Sequence, residues 1–250
     1  MSEKIIHLYN DLAWLWPLWG DATTTYADWC DQVARLIRQY ARCEVHTLLN
    51  MGCGGGKNAF NLKKQFAVTG IDISPAMLEL ARQLNPECQF LLGDMRTCSL
   101  DRQFEAVLID DAISYMATRA DLAAVFQNAC RQLCPGGVMV VEPDFTKETF
   151  HQNCTRVSSA NPKVKPAHID VVFIENDYDP DPTDDACEGA IVYLIREGGQ
   201  LRIETDVSVM GLFSLDVWRT ALHEAGFEVH EEASSEESGQ VIFACVKRGG

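Results

Sequence analysis

Two rhythms of apolar residues alternate through the middle of the chain. Short apolar runs cover 46–51, 67–73, 88–94 ("CQFLLGD"), 104–111 ("FEAVLIDD") and 138–142 ("VMVVE"), and acidic residues close most of them. Such runs predict strands covered on both faces. The segments between them repeat apolar residues at steps of three and four, which predicts amphipathic helices. One covers 57–65. A second starts with Ser74 as N-cap and Pro75 as its first residue, and carries Met77, Leu80, Ala81 and Leu84 on one face. A third, 119–133, aligns Leu122, Phe126, Ala129 and Leu133, and Pro135 with Gly136 should stop it. Upstream, Tyr26, Trp29, Val33, Ile37 and Tyr40 mark a further helix. Strands alternating with helices imply right-handed crossovers and a parallel sheet with helices on both faces. Asp72, Asp94, Asp110 and Glu142 would then gather at the carboxyl edge, where open sheets of this kind bind ligands.

After Asp144 the period changes. Residues 146–167 are expected as a loop or irregular helix. Strands are expected at 168–178, 190–196 and 200–210, the last two joined by a hairpin turn at 197–199. The acidic, proline-containing "DYDPDPTDDACEG" between them should be an exposed loop. A helix follows, with Leu215, Trp218, Leu222 and Ala225 on one stripe, Ser214 as cap and Gly226 at its end. "FEVHEE" and "QVIFACVKR" should close the chain as an antiparallel pair around a connecting loop, "EEASSEES". The expected fold is α/β, Rossmann-like and doubly wound, with a mainly parallel seven-stranded sheet and an antiparallel last strand. An inserted antiparallel β element and an N-terminal helical lid should be added to it. The corresponding division is 1–44 for lid and first helix, 45–145 with 211–250 for the core, and 146–210 for the insertion, as acceptor cover or dimer contact.

Composition narrows the partners. The 250 residues carry 21 Lys and Arg against 36 Asp and Glu, a net charge of −15, which disfavours nucleic acid and anionic membranes. No stretch approaches the ~20 apolar residues of a membrane span, and Met1–His7 lack the apolar core of a secretory signal. The ten cysteines are scattered, with no C-x-x-C pair, so small apolar fillers in a reducing cytoplasm are expected rather than disulfides or a metal site. The aromatic "LYNDLAWLWPLWGD", broken by Pro17 and Gly20, is expected to cover the site through Trp14, Trp16 and Trp19.

The sharpest chemical signal is "LLNMGCGGGKNAF", residues 48–60, between the first strand and its helix. Glycine costs backbone entropy, so a run of it at a strand–helix turn points to a ligand approaching the backbone. A dinucleotide fingerprint would need glycine at the sixth position, which is Lys57. The spacing present is Gly52-x-Gly54-x-Gly56. In order, "LLNMGCGGG", "GIDISPAMLELAR", "FLLGDM" and "LCPGGVMVVEPD" resemble the motif set of class I S-adenosylmethionine-dependent methyltransferases over roughly residues 45–145. "LYNDLAWLW", "EPDF" and the inserted strands resemble the small-molecule N-methyltransferases that act on amino sugars carried by nucleotides.

The resemblance implies S-adenosylmethionine as cofactor and a role for each matched residue. Gly52, Cys53 and Gly54 would let the backbone touch the methionine part. Asp72 would accept both ribose hydroxyls, since one carboxylate takes two O–H donors. Ile73 and Met77 would pack the adenine. Asp94 would accept from its amino group, and the Met95 N–H would donate to the ring. Ile109 and Asp110 would lie under the methionine, Asp110 through its backbone carbonyl. Tyr9 would reach the cofactor from the lid. Where the family usually carries an acid this chain has Asn50, which can accept a hydrogen bond but cannot offset an ammonium charge. Tyr9, Asp111, Tyr115 and Glu142 are the acceptor-site and catalytic candidates for a small-molecule acceptor. Methyl transfer to nitrogen or oxygen is in-line displacement, so orientation and water exclusion should dominate over a strong nucleophile. A nicotinamide-dependent oxidoreductase and a catalytically degenerate binding protein are the alternatives, and a homodimer through the inserted strands is expected.

Overall fold

The computed structural model describes residues 6–160, 169–234 and 240–249. Two short 3-10 segments, His7–Tyr9 and Ala13–Leu18, precede α1 (Ala27–Tyr40). The core then runs β1 (Thr47–Met51), α2 (Lys57–Leu62), β2 (Ala67–Asp72), α3 (Pro75–Leu84), β3 (Gln89–Leu92), β4 (Phe104–Ile109), α4 (Arg119–Gln132) and β5 (Leu133–Val141). Four strands follow: β6 (Cys154–Ala160), β7 (Ile169–Tyr178), β8 (Ala186–Glu197) and β9 (Gln200–Gly211). α5 (Leu215–Glu224), β10 (Phe227–Ala233) and β11 (Val241–Lys247) complete the described chain.

The main sheet has seven strands in the order β10-β11-β5-β4-β1-β2-β3. β1 to β5 pair in parallel, and β11 runs antiparallel to both β5 and β10. This is the Rossmann-like doubly wound sheet with an antiparallel last strand that the apolar rhythm predicts. Strand residues divide between its two faces. Leu49, Met51, Val107 and Ile109 pack with α4 and α5, while Leu48, Ala106 and Leu108 pack with α1 and α2. Because the chain winds outward from β1 in one direction and from β4 in the other, the crevice between these neighbours is the natural ligand edge.

Local signals account for most boundaries. The Ser74 hydroxyl accepts from Met77 N–H at 3.1 Å, with Pro75 next, as the cap pattern requires. Thr118 caps α4 in the same way through Asp121 N–H. Ser214 holds the N-cap position of α5, but its side chain makes no capping bond. Pro135 and Gly136 do not merely stop α4; they lie within β5, beside a register irregularity between Phe104 and Ala106.

β6–β9 form a separate antiparallel sheet. β6 corrects the expectation of a loop or irregular helix at 146–167. Its sequence, CTRVSSA, is polar and largely exposed, and it is held by pairing with β7 rather than by a buried face. Residues 161–167 and 235–238 of the expected loops, and residue 168 at the start of the expected strand, lie outside the described residues. β8 begins at Ala186, so the end of the expected acidic loop is strand, ladder-bonded to β9.

The lid packs on one face of this second sheet. Leu8, Leu12 and Leu15 bury against Val171, Phe173, Tyr193 and Ile195, and Trp19 stacks on Phe173 at 4.7 Å. Asp206 of β9 anchors its first turn. Its carboxylate accepts from the backbone N–H of His7 at 2.7 Å and of Leu8 at 3.0 Å, and from the Tyr193 hydroxyl at 2.9 Å. Asp206→Ala would leave these donors unpaired in a buried place. It should lower unfolding free energy by about 1–3 kcal/mol, read as a lower urea midpoint at unchanged slope.

Candidate active site

The turn between β1 and α2 is bare because the chain's own side chains crowd it. Gly52, Gly54 and Gly56 have φ of 75°, 49° and 80°, where other residues are strained. A Cβ on Gly52 would collide with Ala112 and Met95, and one on Gly55 with the Trp16 indole. Backbone approach is therefore used first by the protein itself, with the lid lying directly on the glycine turn.

Lys57, in place of a third glycine, fastens that lid. It is 5% exposed, and its ammonium donates to the carbonyl of Trp16 at 2.8 Å and to that of Trp19. It also lies 4.7 Å from the Trp16 ring centroid and 5.3 Å from that of Tyr26. Burial lowers its pKa to about 8, against the opposing pull of Asp21 and Asp111.

Asp72, closing β2, takes one backbone N–H on each oxygen. Gly54 donates to Oδ2 and Ser74 to Oδ1, both at 2.8 Å. Desolvation raises its pKa, and these bonds oppose the rise. Each oxygen keeps a further lone pair, and the Ser74 hydroxyl ties the same turn to the lid through the Tyr9 carbonyl. Ile73 is 71% exposed beside it, whereas Met77 is wholly inside the core. Asp94 is turned toward Arg96, which grips it through Nε and the terminal nitrogen and extends to Asp121 at 2.9 Å. That guanidinium holds the Asp94 carboxyl below its ordinary range. Cys53 and Met95 are buried.

The acids after β4 and β5 converge. Asp110, half-buried, accepts from Asn58 Nδ2 at 2.7 Å. Asp111 opens to the cavity and lies close to Asp144, which in turn neighbours Ser114. Desolvation comes first in raising all three, and mutual repulsion adds to it for Asp110 and Asp144. Glu142 is raised by desolvation as well, and its Oε1 is buried without a partner among the described residues. Tyr9 and Tyr115 meet hydroxyl to hydroxyl at 2.7 Å, their rings edge to face at 5.7 Å. Burial raises both phenols, so both stay neutral donors and acceptors.

These groups line a cavity of about 440 Å³ between core, lid and second sheet. Tyr9, Asp111, Tyr115 and Asp144 form one wall. The other carries Arg156, Glu175 and Asp177, with Arg156 ion-paired to Asp177 at 2.8 Å and to Glu175 at 3.6 Å. Glu142 is not part of the lining. No local pattern marks Arg156, which sits on the unforeseen β6. Asp144 was visible as the acid of "EPDF", two residues past Glu142, but its pairing with Asp111 was not.

Residues 48–137 match a methyltransferase domain model. A Saccharopolyspora spinosa dTDP-4-amino-2,3,4,6-tetradeoxy-D-glucose N,N-dimethyltransferase is 27% identical over 230 residues, spanning 88% of this chain and 87% of that one. A Streptomyces venezuelae dTDP-3-amino-3,4,6-trideoxy-alpha-D-glucopyranose N,N-dimethyltransferase is 36% identical over 127 residues, 50% and 53% of the two chains. The crystal structure of Streptomyces venezuelae DesVI superposes with a TM-score of 0.81 at 27% identity, covering 98% of this chain and 99% of DesVI. Residues 48–137 thus carry a methyltransferase domain, and the chain as a whole resembles the class I S-adenosylmethionine-dependent methyltransferases. Among such enzymes it most resembles the amino-sugar type, it uses S-adenosylmethionine, and it acts on a small molecule. The oxidoreductase and non-catalytic alternatives give way to this assignment.

The methyltransferase's own residues fit the cofactor. Both polar atoms of the Asn50 amide are buried under the glycine turn without a partner among the described residues, and Asp72 retains acceptor capacity next to Gly54. The converging acids also suit a sulfonium cation. Without one they repel. A carboxyl whose folded pKa is raised gives stability that is complete below its unfolded pKa and is lost as pH rises through the folded one. The ligand-free enzyme should therefore melt at progressively higher temperature as pH falls toward the ordinary carboxylate range. At still lower pH the trend should reverse, as Asp94 and Asp185, held low by Arg96 and Arg119, and Asp121, held low by Thr118 and then Arg96, become protonated. Asp144→Asn should flatten the rise, as scanning calorimetry across pH would show.

Proposed function

We propose that this methyltransferase methylates the amino nitrogen of a small sugar-like acceptor bound between the lid and the second sheet. The observation that carries this is the carboxyl pair Asp111–Asp144 facing the cavity beside the Tyr9–Tyr115 hydroxyl pair. An amine at neutral pH is mostly protonated and must lose that proton before its lone pair can attack. A carboxyl pair raised by desolvation and repulsion first holds the ammonium and then takes its proton. The relatives named above, which act on dTDP-linked amino sugars, support the same acceptor chemistry.

S-adenosylmethionine supplies an electrophilic methyl on a sulfonium when bound. The protein's part is alignment. Asp72 would take the ribose hydroxyls, the Gly52–Cys53–Gly54 backbone would face the methionine part, and Ile73 and the Met95 N–H would border the adenine. Asp94 would meet the adenine amino group only by sharing its carboxylate with Arg96. Tyr115, polarised by Tyr9, would direct the acceptor nitrogen. The lid, pinned by Lys57 and Asp206, would keep water out. Glu142 and Asp110 would contribute field rather than proton transfer.

Tyr115→Phe and Asp111→Asn should each lower kcat by about 10- to 100-fold on an amino-sugar panel, with S-adenosylmethionine affinity changed by less than about threefold. Asp72→Ala should do the reverse, weakening cofactor binding at least about tenfold in calorimetry. Unchanged turnover in both acceptor-side variants removes them from the mechanism.

We also propose a cytoplasmic homodimer. All ten cysteines are free thiols, which fits a reducing compartment. The face of the second sheet opposite the lid carries exposed Val157, Leu201, Ile203 and Val209 across its two edge strands. Sedimentation at micromolar concentration should return a dimer, and a monomer would end this part of the proposal.

A further inference from the structure

The two strands that flank the crevice carry a mismatch. In β1 the residue two before the glycine turn is Asn50, 1% exposed, and both its amide atoms lack a partner among the described residues. It is neutral and cannot balance a cation. In the paired strand, Asn50 stands opposite Leu108. Asp110, two residues further along, therefore projects on the same side of the sheet, toward α2. There it meets Asn58 of α2 at 2.7 Å, again a neutral group. Among the described residues no lysine or arginine forms an ion pair with it. Its charged neighbours are acids: Asp111 and Glu142 both push against it. A carboxylate so enclosed, next to an unpaired amide and repelled from the other side, is stable as an anion only when a cation is brought to it.

We infer that the Asp110 carboxylate supplies the charge that meets the α-ammonium of S-adenosylmethionine, with Asn50 contributing a neutral hydrogen bond, so that β4 rather than β1 carries the counter-charge. The inference rests on the cofactor lying at this edge. It assigns Asp110 a side-chain role in binding, in place of the backbone contact expected from sequence. It also explains how a chain with asparagine at position 50 keeps its electrostatic balance.

The test is calorimetric and needs no turnover. S-adenosylhomocysteine carries the ammonium; 5′-methylthioadenosine shares its adenosine and thioether but lacks the amino-acid end. Asp110→Asn should weaken S-adenosylhomocysteine at least about 30-fold and 5′-methylthioadenosine by less than about threefold. The double variant Asn50→Asp, Asp110→Asn should recover at least about tenfold of the loss. Ligand-free Asp110→Asn should melt no lower than the unsubstituted enzyme, because an uncompensated charge has been removed. Equal losses for both ligands, or no loss for either, would overturn the assignment. If Asp110→Asn does not fold, Asn50→Asp alone serves: it should tighten S-adenosylhomocysteine and not 5′-methylthioadenosine, and no change overturns the inference. Absence of heat with both ligands in the unsubstituted enzyme would instead overturn the cofactor site itself.

Discussion

Negative charge concentrated at one sheet edge is the constraint on which the active site depends. Asp110, Asp111, Glu142 and Asp144 all follow directly on β4 and β5, and desolvation raises every one of them. Parallel strands deliver their carboxyl ends to the same side, so the arrangement follows from topology. In a self-sufficient protein such a cluster would be a defect. In an enzyme whose donor is a cation, it is the complement that the donor requires.

The lid is fixed by groups that suit the ends they hold. Asp206 accepts from the N–H groups at its first turn, and Lys57 donates to carbonyls at its last. These are the two kinds of backbone group that a short helical segment leaves unsatisfied. One anchor comes from the second sheet and the other from the glycine turn, so the lid joins the sheet that walls the cavity to the turn after β1. The unexpected lysine in the glycine motif thus has a structural reason: it replaces close helix–strand packing with a tie to the lid.

Much of the core was legible because it is repetitive. Strand runs and helical stripes between 45 and 145 each recur with their own period, and the caps at Ser74 and Pro75 sit where their chemistry demands. β6 was not legible, because an exposed strand of CTRVSSA has no buried face to impose alternation. At the site, Tyr9 and Tyr115 were singled out separately, yet nothing in the chain announces that two hydroxyls 106 residues apart lie 2.7 Å from each other. The sequence marked Asp94 as an adenine acceptor and did not show that Arg96, two residues on, would claim it.

The succession of strands and helices along the chain, the bare turn after β1 and the acids at strand ends were determined by the sequence alone, since each depends on residues close together along the chain. The Asp111–Asp144 pair, the Lys57 tie and the Arg156 wall were decided only by tertiary structure. Each joins groups from different elements, and the distance between such groups is set by how the layers pack, which local periodicity does not encode.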